Sequence, residues 1–62
     1  MGQGDSVVVL GTGGVGLFVI QAARLAGAER IIGVDLRESR LATARRLGAT
    51  HTLLSRREDE GL

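Results

Sequence analysis

The run Val7-Val8-Val9-Leu10 breaks into Gly11-Thr12-Gly13-Gly14-Val15-Gly16 and then into residues 15–26, which hold no proline. This succession constrains the fold more than any other feature of the chain. An unbroken β-branched run is the habit of a strand buried on both faces, as in parallel sheets. Glycines at G-x-G-x-x-G spacing turn the chain sharply. The stretch that follows reads as a helix, with Val15, Val19, Ala22 and Ala26 at the spacing of one helical face and Gly27 as its stop. Only Gln21 and Arg24 give that helix a polar side, so its apolar surface is wider than one sheet contact needs.

The rest of the chain repeats the alternation. Arg30-Ile31-Ile32-Gly33-Val34-Asp35 is a second apolar run that closes on a carboxylate, and it predicts a second parallel strand. Residues 39–47 carry Leu41, Ala44 and Leu47 on one side and arginines on the other, with Gly48 placed as a stop; they predict a second helix. His51-Thr52-Leu53-Leu54 predicts a short third strand, and Ser55-Arg56-Arg57-Glu58 has the capping-box form that starts a helix. The order β-α-β-α-β belongs to the α/β class: three parallel strands and two helices joined by right-handed crossovers. If the crossovers advance in one direction, both helices lie on one face, and nothing in the chain covers the other. On that burial argument residues 1–62 read as one partial domain, a piece of a larger doubly wound unit.

Composition narrows the function classes. At 62 residues the chain buries only ~60% of its unfolded surface and has no staple to compensate, because it contains no Cys. Without thiolates, and with His51 as the single histidine, it has no set of zinc ligands. Hydrophobic residues at 44% and charges at 24% exclude a disordered chain. No apolar run approaches the ~20 residues of a membrane span, so no membrane partner is expected. The small positive charge comes from arginines spread from Arg24 to Arg57, and Phe18 is the only aromatic. With no stacking platform and no basic cluster, nucleic acid is not an expected partner. Asp5 stands where a secretory signal would be basic, which points to the cytoplasm. Met1-Gly2-Gln3-Gly4-Asp5-Ser6 matches a myristoylation pattern, but a strand beginning directly after it would pin the terminus in a sheet.

The glycines and Asp35 carry the chemistry. Gly11 permits the tight turn out of the strand, Gly13 lets backbone approach a pyrophosphate, and Gly16 lets the helix pack closely on the sheet. The helix N-terminus then offers unpaired N–H groups to phosphate oxygens, with Thr12, Gly14 and Val15 in the same turn. A dinucleotide-binding βαβ unit of the Rossmann type needs an acid about 20 residues on, at the end of the second strand, and Asp35 stands there. A carboxylate accepts from ribose hydroxyls and repels an extra phosphate, which favours NAD over NADP; Arg37 and Arg40, just beyond, are within reach of such a phosphate. The plainer alternative is a simple glycine loop, with Asp35 capping the turn or helix after it. Leu17-Phe18 stand where a P-loop requires Lys and Ser or Thr, which argues against nucleotide hydrolysis. An S-adenosylmethionine site also uses a glycine turn and a second-strand acid, but Leu10 replaces the acid that usually ends its first strand.

Taken together, residues 4–16, then Gln21-Ala22-Ala23-Arg24-Leu25-Ala26-Gly27-Ala28, resemble the coenzyme domain of zinc-type medium-chain alcohol dehydrogenases. Ile32-Gly33-Val34-Asp35, and the stretch from Leu41 through Leu47-Gly48-Ala49-Thr50-His51, are similar to that family's second strand, second helix and entry to the third strand. The resemblance covers residues 4–55. It implies that backbone around Gly13, Gly14, Val15 and Gly16 receives the pyrophosphate, that Asp35 holds the adenosine ribose, and that Arg40 lies near the same ribose. It also implies an NAD-dependent oxidoreductase that moves hydride between an alcohol and NAD, with zinc in the parent enzyme polarising the alkoxide. By the same resemblance the zinc ligands lie mostly in a separate catalytic domain outside these residues, so no catalytic residue is expected in this chain. Its expected partners are the dinucleotide and either the remainder of the parent enzyme or a second copy against the uncovered sheet face. Two other readings stand beside this one: a non-catalytic NAD-binding regulatory module, and a truncated product without function.

Overall fold

The computed structural model describes residues 3–55. Five elements follow one another: β1 (Ser6–Leu10), α1 (Gly14–Leu25), β2 (Arg30–Asp35), α2 (Glu38–Leu47) and β3 (His51–Leu54). Each expected strand and helix is present, with ends shifted by at most a residue. The capping box from Ser55 to Glu58 and the myristoylation pattern at Met1-Gly2 both run outside the described residues.

The strands form one parallel sheet in the order β1-β2-β3. In its register Val8 stands beside Ile32 and Ile32 beside His51, while Leu10 stands beside Val34 and Val34 beside Leu53. Both helices pack on the same side of the sheet and touch each other, as one-directional crossovers require. Glycine ends each helix. Gly27 (φ 85°) and Gly48 (φ 139°) adopt positive φ, and the N–H groups of Ala28 and Ala49 reach back to the carbonyls of Ala23 (3.0 Å) and Ala44 (2.9 Å). These are Schellman closures, which satisfy carbonyls that the helix leaves open.

The core lies between sheet and helices, built from Val9, Ile20, Ala23, Ile31, Ala44 and Ala49, with Leu41 also buried. The inward face of α1 is rotated from the expected one, of which Val19 and Ala22 are half-buried. Ile20 and Ala23 are buried, whereas Val15 is 80% exposed and Ala26 also lies in solvent. The reason is Gly16: a Cβ there would overlap the Gly11 carbonyl oxygen, so this residue must be the one pressed on the end of β1. Once it faces inward, Ile20 and Ala23, at four and three residues' spacing, follow it. The expected stripe of α2 holds at Leu41 and Ala44 and weakens at Leu47, which is half-buried. Among the described residues nothing covers the opposite sheet face, where Val8, Leu10 and Leu53 are exposed.

Candidate functional site

The carboxyl ends of β1 and β2 lie side by side, so the loops leaving them share one edge of the sheet. Gly11, at φ 87°, still donates its N–H to the Val34 carbonyl at 2.7 Å and then reverses the chain. Thr12 consequently turns inward and is only 1% exposed. Its backbone N–H donates to Asp35 Oδ2 at 2.7 Å, and its hydroxyl donates to the same oxygen at 2.9 Å. The space for its methyl group comes from Gly33, in the middle of β2, where a Cβ would stand 3.2 Å from Thr12 Cγ2.

Asp35 closes β2 and is 6% exposed. Its Oδ1 accepts the backbone N–H groups of Leu36 at 2.7 Å and Arg37 at 3.0 Å. The carboxylate therefore does cap the turn into α2, the plainer role the sequence allowed, and it is bound from the other side by Thr12 as well. Burial alone pushes this carboxyl up, but the bonds from Thr12, Arg37 and Leu36 outweigh it and bring the pKa from 3.8 down to about 2. The group is a fixed anion at neutral pH. The Arg40 guanidinium stands 3.9 Å from Oδ2, with its side chain about half exposed.

The N-terminus of α1 opens beside this carboxylate. No side chain caps it at Gly13, no acidic residue lies in its first turn, and its first backbone bond runs from Leu17 N–H to the Gly13 carbonyl at 2.8 Å. A Cβ at Gly13 or Gly14 would meet nothing within 4 Å, so the approach to these N–H groups is open. Such a terminus attracts anions through its partial positive charge.

A cleft of about 360 Å³ brings Leu10, Gly11, Asp35, Leu36, Arg40 and Ser55 together. Asp35, Gly11 and Arg40 are site residues that the sequence predicts; Leu10, Leu36 and Ser55 join them only through the fold. Ser55 arrives because β3 runs parallel to β2, and its N–H bonds the Asp35 carbonyl at 2.8 Å. The signal was the strand order, which puts the end of β3 next to the acid. Gly33 belongs to the site as well, and its sequence signal is a glycine inside a strand, which marks a close approach. Val15 points away from the sheet into solvent. His51 pairs with Ile32, at the opposite end of β3 from Asp35, with its Nδ1 2.8 Å from the Thr50 hydroxyl. The described residues bring no three of His, Cys, Asp or Glu together, and the chain has no Cys, so these residues do not fit a zinc ion. No described helix is long and apolar enough to cross a membrane.

Residues 14–61 match the family described as zinc-binding dehydrogenase, more than half of the chain. The chain belongs to that family. It is 54% identical over 48 residues to alcohol dehydrogenase 1 of Zea luxurians, covering 77% of this chain and 16% of the relative. An alcohol dehydrogenase zinc-binding domain protein of Burkholderia ambifaria superposes with a TM-score of 0.84 at 49% identity, over 86% of this chain and 14% of that one. A zinc-binding dehydrogenase of Sinorhizobium meliloti, solved bound to NADP, superposes with a TM-score of 0.83 at 38% identity, over 86% of this chain and 16% of that one. The chain thus spans about a sixth of the length of these dehydrogenases, and the segment it shares with them is the partial Rossmann unit described above.

Proposed function

We propose that this chain is the adenosine-binding segment of a zinc-type alcohol dehydrogenase and binds NAD in preference to NADP. One observation carries the reading: an ionised, immobilised carboxylate, Asp35, shares a sheet edge with the uncapped, glycine-lined N-terminus of α1. The two features suit the ribose and the pyrophosphate of an adenosine diphosphate. The N–H groups at the start of α1, reached past Gly13 and Gly14, receive the pyrophosphate, and Gly16 holds the helix close enough to aim them. Asp35 accepts from the ribose hydroxyls. Its four acceptor places are filled within the chain, so a hydroxyl shares Oδ1 with the Leu36 and Arg37 N–H groups, which are only part-buried. Thr12 bonds the acid rather than the ligand. Arg40 borders the same cleft on the ribose side, 3.9 Å from Asp35 Oδ2.

The dinucleotide, when bound, supplies the hydride acceptor; this chain's residues bind and orient it. Zinc and the alcohol belong to the remainder of such an enzyme, since the described residues fit no metal. The family match through residue 61 favours this over a regulatory module. Titration of the chain with NAD and NADP, followed by amide NMR, tests the proposal. Saturable shifts at Gly13 to Gly16 and near Asp35, stronger binding of NAD, and loss of binding in Asp35→Ala are expected. Unchanged NAD affinity in Asp35→Ala refutes the ribose assignment.

A further inference from the structure

Two charged groups of opposite consequence border the ribose end of the cleft. Asp35 disfavours a phosphate there and Arg40, 3.9 Å from it, favours one. Which of them governs depends on whether the carboxylate can move aside. Oδ2 is held by two donors of one residue, the N–H and the hydroxyl of Thr12, and Thr12 is 1% exposed. If Asp35 swung outward, both donors would remain buried without a partner, which is strongly unfavourable. Thr12 in turn is seated by Gly33, because any side chain at that position would contest the space of its methyl group.

We infer that Thr12, seated over Gly33, is the positioning residue that locks the Asp35 carboxylate in place and thereby sets the discrimination between dinucleotides with a free 2′-hydroxyl and those with a 2′-phosphate. The lock acts in two ways. It leaves Oδ1, on the turn side, as the oxygen a ribose hydroxyl shares. It also prevents the anion from retreating, so that a 2′-phosphate meets uncompensated repulsion despite Arg40. This rests on the ribose reading of Asp35 proposed above.

The test uses the full chain carrying Thr12→Val, which keeps shape and backbone N–H but removes the hydroxyl, and Thr12→Ser, which keeps the hydroxyl. Calorimetric titration gives NAD and NADP affinities, and carbon-detected NMR follows the Asp35 carboxyl without dinucleotide. In Thr12→Val the carboxyl should titrate about one unit higher, and the preference for NAD over NADP should fall about tenfold, the size expected for one hydrogen bond to a charged group. Thr12→Ser should restore both. Gly33→Ala, which crowds the Thr12 methyl, should move both readouts in the direction of Thr12→Val. A preference within about twofold of the original in a folded Thr12→Val chain, or a Thr12→Ser chain that behaves like Thr12→Val, overturns the role of Thr12. Unchanged NAD affinity in Asp35→Ala instead overturns the ribose reading on which it rests.

Discussion

Replacing Gly16 by Ala should destabilise the chain although alanine is the better helix former. The added methyl would overlap the Gly11 carbonyl oxygen and stand 3.0 Å from the Gly11 carbonyl carbon and 3.4 Å from Val9 Cγ1. Two of the three obstacles are backbone, at the turn where β1 becomes α1, so no rotamer change relieves them. Overpacking of this kind costs about 1–3 kcal/mol, and the rigid obstacle argues for the upper end. Helix propensity returns at most ~1 kcal/mol, less in the first turn. The net loss is about 2 kcal/mol, against a total stability of roughly 3–9 kcal/mol for a domain of this length. At ~4–8 °C per kcal/mol, the melting temperature should fall by roughly 10 °C. Gly14→Ala is the control, since its methyl would meet nothing within 4 Å and α1 begins at that residue. It should melt at or slightly above the original chain. Thermal melts by far-UV circular dichroism compare the three. A Gly16→Ala chain that melts with or above Gly14→Ala would refute the claim that this glycine sets how α1 meets the sheet.

Acid titration should reveal the Asp35 lock as stability. The folded pKa of about 2 lies below the ordinary 3.8, so the contribution is complete above pH 3.8 and is lost as pH falls toward 2. Its size is about 1–2 kcal/mol after allowance for solvent screening, and Asp35→Asn should flatten this part of a denaturation-versus-pH curve. Leu10→Glu, on the open sheet face beside Val34, should shift sedimentation of the chain toward monomer, because exposed apolar patches of several hundred Å² tend to associate; a monomeric unsubstituted chain would contradict that reading of the face. Mixed with NAD and an alcohol, the chain should form no NADH, and measurable alcohol-dependent NADH absorbance would overturn the assignment of chemistry to other parts of the enzyme.

The helix and strand boundaries were legible because each is enforced locally. Gly27 and Gly48 end their helices through φ values that few other residues accept, and the β-branched run at Val7 to Val9 suits an extended chain. The pairing of a glycine turn with Asp35 was legible too, since it is a spacing along the sequence. The rotation of α1 was not. Periodicity pointed to Val15, Val19, Ala22 and Ala26 on a helix whose apolar surface is wider than one contact needs; the side that is buried was set by the contact between Gly16 and the Gly11 carbonyl in the turn leaving β1. The same limit applies to Thr12, which is separated from Asp35 by 23 positions and meets it only because β1 and β2 are neighbours.

Order of elements, parallel pairing and the presence of an acid beside a glycine turn follow from residue type and spacing alone, because backbone sterics and hydrophobic alternation act within a few residues. That Thr12 rather than another residue holds Oδ2 of Asp35, that Gly33 makes room for Thr12, and that Arg40 stands beside the same oxygen depend on groups brought within 3 to 4 Å by the fold. Repulsion and hydrogen bonding change sharply over such distances, so only the folded arrangement selects among the side-chain placements the pattern permits.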